Sequence, residues 1–579
     1  MKQINYLIKL MFFCGALFLT SCETTELDLT ENPNALTPNQ ANPDFLLNNI
    51  QEDFARFVET IGRRGAELTR IDYMNGRDYT NAYSPGDFDR LWTNAYGGLI
   101  TDGVDDGGLM KDIQAMNVLA QESGLNHHIA MGQVFQAYTL ISLVDLFGDI
   151  PYSEALLGVE NLNPIADSGE SIYAAAIGLL DAAIVNFGSE AAADPQYDFF
   201  YDGNWSQWIK AANTIKMKAY MATRLVDGSA LSNFNAIVSS GNYIANKADD
   251  FQFTWGTNEI QPDTRHPRYS GSYTPTGGSD YMSNSLMDYM NGKDDAAYSN
   301  PINFDIRTLF YFYRQVSQTP GIGGAPADEE ALECGLYTAP PHYAGYTYCG
   351  VAKGWWGRDH GNNNGIPPDG FLRTLAGVYP AGGALDDLSY DSKKNGDGNG
   401  GNGITPVMLS SWTDFMIAET KMFNGDAAGA KTSMFAGIDK SIDKVTNFAP
   451  TSARFNWIFG TADGGPALAL ASDYISWFKS DLEADWDAAD ANGKWDILAM
   501  QYFVASYGNG IDSYNFYRRT GYPTTLQPNI EPNPGGFIRS FFYPANYANT
   551  NANASQKDGV GVQVFWDTNA PSPGFPIAN

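Results

Sequence analysis

The chain has 579 residues, a formal net charge of −31 at pH 7 and only 17% charged side chains. Such an acidic surface repels phosphate backbones, so we expect no nucleic-acid partner. The length allows a large core, and after the N-terminus we find no apolar stretch that we expect to cross a membrane, so the remainder is expected to be soluble.

The N-terminus has the pattern of a secretory signal. It carries Lys2 and Lys9, then a short apolar stretch that ends in Leu19–Cys22. A basic start and an apolar run too short to span a bilayer are typical of such signals. The last four residues resemble the lipobox of bacterial lipoproteins, whose cysteine becomes an acylated N-terminus. We predict a signal peptide over 1–21 and lipidation of Cys22; the alternative is an ordinary signal peptide in which Cys22 has no role.

Helical patterns dominate the next part of the chain. After a polar tether over 22–43, we predict a helical scaffold over 44–245. Its clearest helix carries apolar side chains in alternating steps of four and three, namely Trp208, Ala212, Ile215, Ala219 and Ala222. Several such helices separated by short turns favour antiparallel pairs, as in helical repeat proteins.

The second half changes character. Gly, Pro, Asn, Asp and Tyr crowd together over 246–403, and long irregular loops in a compact protein are usually functional or disordered. The aromatic density favours a functional, ligand-facing region. Helical patterns return over 404–579, where the end is rich in Pro and Asn. Asp167 and Ser411 each precede a helical pattern like the first residue of a capping box.

Cys334 and Cys349 are the only cysteines that follow the signal. In an exported protein such a pair most simply closes a loop as a disulfide. The histidines and these cysteines lack the spacing of a zinc site. Asn395–Gly400 imitates the first half of a calcium-binding EF-hand loop, but Pro406 stands where a bidentate Glu is required. We therefore predict no bound metal and no cofactor, with calcium at that loop as the alternative.

Aromatic residues flanked by polar groups are the candidates for ligand contact. The best candidate is Gly354–Asn364, which contains Trp355 and Trp356 followed by Arg358 and Asp359. Flat aromatic rings beside charged and amide side chains suit a sugar, which offers C–H faces and hydroxyl groups. Adjacent side chains in extended backbone point opposite ways, so we expect one tryptophan to face the ligand and the other the core.

Two further aromatic groups are candidates for the same role. The first comprises Tyr73, Tyr79 and Tyr83, with Asn75, Arg77 and Asp78 among them. The second comprises Trp255, Tyr269 and Tyr273, with Arg265 and Arg268. For both groups, ordinary packing in the interior is the alternative.

Several segments in a fixed order carry a resemblance to one family. They are the lipobox, Tyr138–Tyr152, Trp208–Lys216, Gly377–Gly383, Phe415–Glu419 and Tyr517–Pro523. On these segments the chain resembles the SusD/RagB family, the nutrient-binding outer-membrane lipoproteins of the Bacteroidetes. The resemblance implies one SusD-like unit from 44 to 579, mainly α, in which TPR-like helix pairs support an irregular ligand-facing half.

The resemblance also implies a function. Members bind glycans as a lid over a TonB-dependent, SusC-like transporter, anchored by lipid in the outer membrane and facing the cell exterior. We therefore expect a non-catalytic protein that captures oligosaccharide or polysaccharide. No serine-nucleophile elbow, zinc-protease signature or phosphate-binding loop is present in the sequence. The alternatives are a lipid-anchored glycoside hydrolase or lyase, and a lipoprotein of the same family that binds peptide.

Overall fold

Apolar spacing explains the long helix near the start of the described chain. In the computed structural model, α1 is Pro43–Leu68, and Leu47, Ile50 and Phe54 are fully buried along one face. Steps of three and four residues place such side chains on one side of a helix. The structure describes residues 42–97, 100–101, 104–105, 108–291, 304–322, 332–363, 372–448 and 471–569. The predicted signal peptide and Cys22 lie outside these residues, and the unit described below is Pro43–Asn579.

Most of the regular structure in the described residues is helical. The helices after α1 are α2 (Asp89–Tyr96), α3 (Leu109–Ser123), α4 (Asn126–Phe147), α5 (Gly169–Phe187), α6 (Trp205–Thr223), α7 (Ala230–Ser240), α8 (Pro267–Ser272), α9 (Asn284–Asn291), α10 (Thr308–Tyr311), α11 (Ser410–Phe423), α12 (Ala427–Thr446), α13 (Ala471–Ala488), α14 (Ala491–Ala505), α15 (Ile511–Thr520) and α16 (Ala545–Thr550). Consecutive helices pack against each other, notably α4 with α5, α6 with α7, and α11 with α12. The prediction of a mainly helical, TPR-like fold is confirmed.

The strands are short and pair antiparallel in twos. They are β1 (Ile100–Thr101), β2 (Val104–Asp105), β3 (Phe251–Thr254), β4 (Tyr273–Thr274), β5 (Gly277–Gly278), β6 (Phe312–Arg314), β7 (Thr374–Ala376) and β8 (Ile404–Met408). The pairs are β1–β2, β3–β8, β4–β5 and β6–β7. Because β3 pairs with β8, the irregular region between them begins and ends at the same place on the helical scaffold.

The helices α4 and α5 correct one expectation. Both are long and apolar enough, by length and composition, to cross a membrane, so the statement that no stretch after the signal has this property is wrong. In α4, 83% of the apolar window is buried inside the protein. That helix packs against α3 and α5, so its apolar surface is explained by its place in the core.

Buried polar side chains join the segments that carry the family resemblance. Glu419 of α11 is fully buried and pairs with Arg519 of α15 at 2.6 Å and with Arg224 at 3.1 Å. In α4, the buried Asp145 accepts hydrogen bonds from Asn515 at 2.7 Å and from the Trp566 indole at 3.0 Å. These contacts join elements that are far apart in the sequence, and removing one partner of a buried pair costs ~3–5 kcal/mol.

Both predicted capping boxes are wrong. The residue that caps α5 is Ser168, whose side chain accepts a hydrogen bond from the Ser171 N–H at 3.2 Å. Asp167 instead accepts the backbone N–H groups of Tyr152 and Ser153, each at 2.8 Å. For α11 the residue at the cap position is Leu409, which has no capping side chain. Asp167 is thus used by a contact 14 to 15 positions away in the sequence, which the local pattern does not contain.

Candidate functional site

A disulfide-closed loop forms one wall of the site. Cys334 and Cys349 are bonded, with their Cα atoms 5.4 Å apart. Leu332 and Trp356 pack against the bond in a small apolar cluster. The loop is also held by the Tyr343 hydroxyl, which donates to the Pro528 carbonyl at 2.9 Å. Closing a loop of this length restricts its conformations, so the exposed residues just before Cys349 are held in place.

A cavity of about 400 Å³ lies between that loop, α9 and the segment that follows α15. This volume falls within the ~300–1,000 Å³ typical of small-molecule sites. We call it the tyrosine pocket, and its lining is Ser285, Asp288, Tyr289, Ala344, Gly345, Tyr346, Thr347, Met500, Thr525, Leu526 and Gln527. Two aromatic rings, a carboxylate and hydroxyl groups therefore line one concave surface.

The two tyrosines present different surfaces to the pocket. Tyr346 is 37% exposed, so much of its ring is available to a ligand. Tyr289 is half-buried, and its hydroxyl accepts a hydrogen bond from Gln501 Nε2 at 3.0 Å. Burial is the main cause that raises the pKa of Tyr289 above its ordinary value. The Tyr289 ring is therefore held by the protein on its buried side, whereas the Tyr346 ring projects from the loop.

Asp359 ties the three walls of the tyrosine pocket together. Its buried carboxylate accepts from Asn284 Nδ2 of α9 at 3.0 Å and from Gln527 Nε2 at 3.0 Å. It also accepts from the Cys349 N–H at 2.7 Å, next to the disulfide. Burial raises the pKa of Asp359, and these donors lower it. Asp359 is therefore buried beneath the pocket walls and presents almost no surface to a ligand, which corrects the prediction for this residue.

Residues 361–363, which follow Asp359 in the sequence, connect the tyrosine pocket to the loop after α1. The Gly361 N–H donates to the Met74 carbonyl at 3.1 Å, and the Tyr73 hydroxyl donates to the Asn362 carbonyl. Arg77 Nε donates to Asn363 Oδ1 at 2.6 Å. Two groups that are separate in the sequence thus meet in space. Tyr73 is half-buried and Arg77 is exposed, so both remain on the surface at this rim.

Comparison with known proteins finds a family model that matches part of the chain and solved structures that share its fold. A family model described as starch-binding and associating with the outer membrane (SusD-like_2) matches residues 33–300. A SusD homologue from Bacteroides uniformis aligns at 18% identity over 90% of this chain and 99% of its own, with a TM-score of 0.57. Residues 33–300 thus match a SusD-like family model, and the fold over nine-tenths of the chain is that of a SusD homologue.

Other solved structures agree with this SusD-like fold. A SusD/RagB family protein from Bacteroides thetaiotaomicron aligns at 17% identity over 92% of this chain and 100% of its own, with a TM-score of 0.56. A chitin-binding SusD homologue from Flavobacterium johnsoniae aligns at 17% identity over 90% and 99%, with a TM-score of 0.52. No curated protein sequence matches the chain.

The predicted tryptophan platform is not on the surface of this SusD-like protein. Trp355 is 1% exposed and Trp356 is 2% exposed. The two rings belong to different apolar clusters, and both are packed. Trp355 lies under the Arg314 guanidinium, 4.3 Å from the ring centroid, and Trp356 packs on the disulfide. Neither ring offers a face to a ligand in this conformation, which corrects that prediction.

Arg358 supports an aromatic residue that the sequence analysis missed. Its guanidinium lies 4.5 Å from the ring centroid of Tyr281, and that of Arg373 lies 4.0 Å from the same ring. Tyr281 is half-buried and meets Tyr73 edge-on at 5.9 Å. Because Arg358 is itself only 6% exposed, it orients Tyr281 beside the rim and does not reach a ligand.

The remaining tyrosines of the first group belong to the interior. Tyr79 is fully buried, and its hydroxyl accepts from Arg70 at 2.9 Å and lies 3.2 Å from His360 Nε2. The Tyr83 hydroxyl donates to Glu67 Oε2 at 2.6 Å. Tyr79 and Tyr83 therefore pack in the interior, which was the alternative to ligand contact, because each hydroxyl already has a charged partner beneath the surface.

The second aromatic group is also buried. Tyr269 and Tyr273 stack on each other with centroids 4.5 Å apart, and the Tyr273 hydroxyl donates to the Ala376 carbonyl at 2.7 Å. The Trp255 indole N–H donates to Thr405 Oγ1 at 2.9 Å. These three rings therefore pack β3, β4, β7 and β8 together, and the prediction that they contact ligand is corrected.

No group of three His, Cys, Asp or Glu side chains in the described residues is placed to hold a metal ion. In the Asn395–Gly400 loop, Asn395 Oδ1 accepts from Arg265 Nη1 at 2.6 Å. The carboxylate of Asp397 accepts from the Lys394 N–H at 2.8 Å. Protein donors therefore use the oxygen atoms that calcium binding would require.

Proposed function

We propose that this SusD-like chain is a non-catalytic glycan-binding lipoprotein of the cell surface. In this proposal it captures oligosaccharide or polysaccharide in the tyrosine pocket and delivers it to a TonB-dependent, SusC-like transporter. The observation that carries the proposal is the pairing of Tyr289 and Tyr346 with Ser285, Asp288 and Thr525 in one pocket. Aromatic rings cover the C–H faces of a sugar, and the polar groups replace hydrogen bonds from water.

Two comparisons support a glycan as the ligand class. The family is described as starch-binding, and a structural relative from Flavobacterium johnsoniae is described as chitin-binding. Chito-oligosaccharides and malto-oligosaccharides are therefore the first ligands to test. The proposed partner and the delivery step rest on the family resemblance and on the described association with the outer membrane.

The enzymatic alternative requires two carboxyl groups in one site. Glycoside hydrolysis generally uses a pair of Asp or Glu side chains ~5–9.5 Å apart on either side of the scissile bond. Among the described residues that line the tyrosine pocket, Asp288 is the only Asp or Glu. That composition favours binding over hydrolysis.

The test is a panel of soluble glycans and peptides applied to the purified chain. Retardation in native gels containing polysaccharide, followed by titration calorimetry, identifies the ligand. We expect a glycan to bind, and we expect Tyr289→Ala and Tyr346→Ala each to weaken binding. Release of reducing ends would contradict the non-catalytic proposal, and preferential binding of peptides would favour the peptide alternative.

The anchor is tested separately in cells. Acylation at Cys22 would bury methylene groups in the bilayer at ~0.8 kcal/mol each, so two or more chains hold a protein firmly. We expect Cys22→Ala to leave the outer-membrane fraction, and we expect the wild-type chain to be labelled by antibody on intact cells. A Cys22→Ala variant that stays in the membrane fraction would refute the lipid anchor.

A further inference from the structure

A second concave surface lies between α1 and α2 and shares no residue with the tyrosine pocket. Its cavity is about 380 Å³, which again falls within the range of small-molecule sites. We call it the α1–α2 groove, and its lining is Asp53, Arg56, Phe57, Glu59, Thr60, Arg64, Asp87, Arg90, Leu91, Asn94 and Pro267. It brings three arginines together on an acidic protein, and its lining also holds three carboxylates, those of Asp53, Glu59 and Asp87.

Two of these arginines are held in place by rings and carboxylates. The Arg56 guanidinium lies 5.1 Å from the Trp255 ring centroid and 2.7 Å from Glu52. The Arg64 guanidinium lies 5.2 Å from the Tyr83 ring centroid and 2.9 Å from Glu67. Their side chains remain 44% and 27% exposed. Trp255 and Tyr83, which the sequence suggested as ligand contacts, thus support the groove from within.

Arg90 is the arginine of the groove that has unused hydrogen-bonding capacity, whereas the Glu59 carboxylate faces the interior. Arg90 is exposed and makes no hydrogen bond or ion pair with the described part of the chain. Glu59 Oε2 is buried and has no hydrogen-bond partner among the described residues; His266 Nε2 lies 3.5 Å away. Burial lowers the pKa of His266 to about 3, so that ring is neutral. His266 Nδ1 accepts from the Arg268 N–H at 3.1 Å, so the neutral ring carries its proton on Nε2 and turns it toward Glu59 inside the protein.

We propose that the α1–α2 groove is a second binding site, for a sugar residue that carries a carboxylate, such as a uronic acid. Its carboxylate accepts hydrogen bonds from Arg90 and from the exposed edge of Arg64, because a guanidinium matches a carboxylate in a bidentate way. The apolar wall formed by Phe57, Leu91 and Pro267 faces the C–H bonds of the sugar.

The test is calorimetric titration of the purified chain with a galacturonic acid dimer and with the neutral galactose dimer. We expect the acidic dimer to bind and the neutral dimer to bind at least about 10-fold more weakly, since hydrogen bonds to a charged group are worth ~1.5–3 kcal/mol. Arg90→Ala removes an exposed side chain without partners in the described chain, and we expect it to weaken acidic-dimer binding about 10-fold or more.

Two control variants test whether the acidic dimer binds in the α1–α2 groove itself. Lys394→Ala removes the same charge from an exposed position outside the groove lining and should leave acidic-dimer binding unchanged. Tyr346→Ala should also leave acidic-dimer binding unchanged. The test of the α1–α2 groove therefore does not depend on whether the tyrosine pocket binds a glycan. The proposal is overturned if the acidic dimer does not bind at millimolar concentration, if both dimers bind equally, or if Arg90→Ala binds like the wild type.

Discussion

Tyr346→Ala tests the tyrosine pocket most directly. A tyrosine contributes ~150–250 Å² of surface, and Tyr346 is 37% exposed. A ligand can therefore cover ~55–90 Å² of it, worth ~1.4–2.3 kcal/mol at ~25 cal/mol per Å². That energy corresponds to a loss of affinity of roughly 10- to 50-fold when the ring is removed. The substitution should change thermal stability little, because the side chain projects from its loop.

The assay is calorimetric titration with the glycan that binds the wild-type chain, supported by retardation in gels that contain it. Tyr346→Phe keeps the ring and should bind within about 5-fold of the wild type, since one exposed hydroxyl contributes ~0.5–1 kcal/mol. Tyr197→Ala is the matched control, because Tyr197 is 52% exposed and contacts Gln51 in the first half of α1. Wild-type affinity in Tyr346→Ala would refute the assignment of the pocket.

Three further substitutions separate positioning from contact. Trp356→Ala should lower the free energy of unfolding by ~3–5 kcal/mol by opening a cavity beside the disulfide, as measured by denaturant titration. Asp359→Asn should lower the free energy of unfolding by ~1–3 kcal/mol because its amide group faces a hydrogen-bond donor. Glycan affinity should also fall, although Tyr346 itself is unchanged. Replacing Cys334 and Cys349 by Ser should make the loop flexible and lower the free energy of unfolding by up to ~3 kcal/mol. A glycan affinity that this replacement leaves unchanged would contradict a positioning role for the disulfide.

The helical half of the fold is predictable because its information is local. Steps of three and four residues around Phe54 or Trp208 predict amphipathic helices, and those residues are fully buried in α1 and α6. Helix ends are less predictable, because they depend on distant partners. Ser410 begins α11 where its N–H donates to Asp250 Oδ1 at 2.7 Å, a contact across 160 positions of sequence.

The site was predicted less well, for a related physical reason. Glycines around Trp355 and Trp356 suggested an exposed loop, yet they permit close backbone packing: a Cβ on Gly354 would lie 1.9 Å from the Val316 carbonyl oxygen. The segment around Trp355 and Trp356 is therefore packed inside the protein. The exposed ring, Tyr346, lies in a tyrosine-rich run closed by the predicted disulfide, and that combination was the available signal.

The geometry of the tyrosine pocket also bounds its affinity. Covering the exposed part of Tyr346 gives ~2 kcal/mol, and the half-buried Tyr289 can give no more than a similar amount. Association costs at least ~4 kcal/mol in lost translational and rotational freedom. Covering the two rings offsets part of this cost, and hydrogen bonds worth ~0.5–1.5 kcal/mol each must supply the rest of the favourable free energy. The walls tied by Asp359 and the disulfide lower the ordering cost without adding contact area. We therefore expect the proposed ligand to bind weakly, with a dissociation constant nearer ~1 mM than ~1 nM. Weak, rapidly reversible binding suits the proposed role, since a protein that passes a glycan to a transporter must also release it.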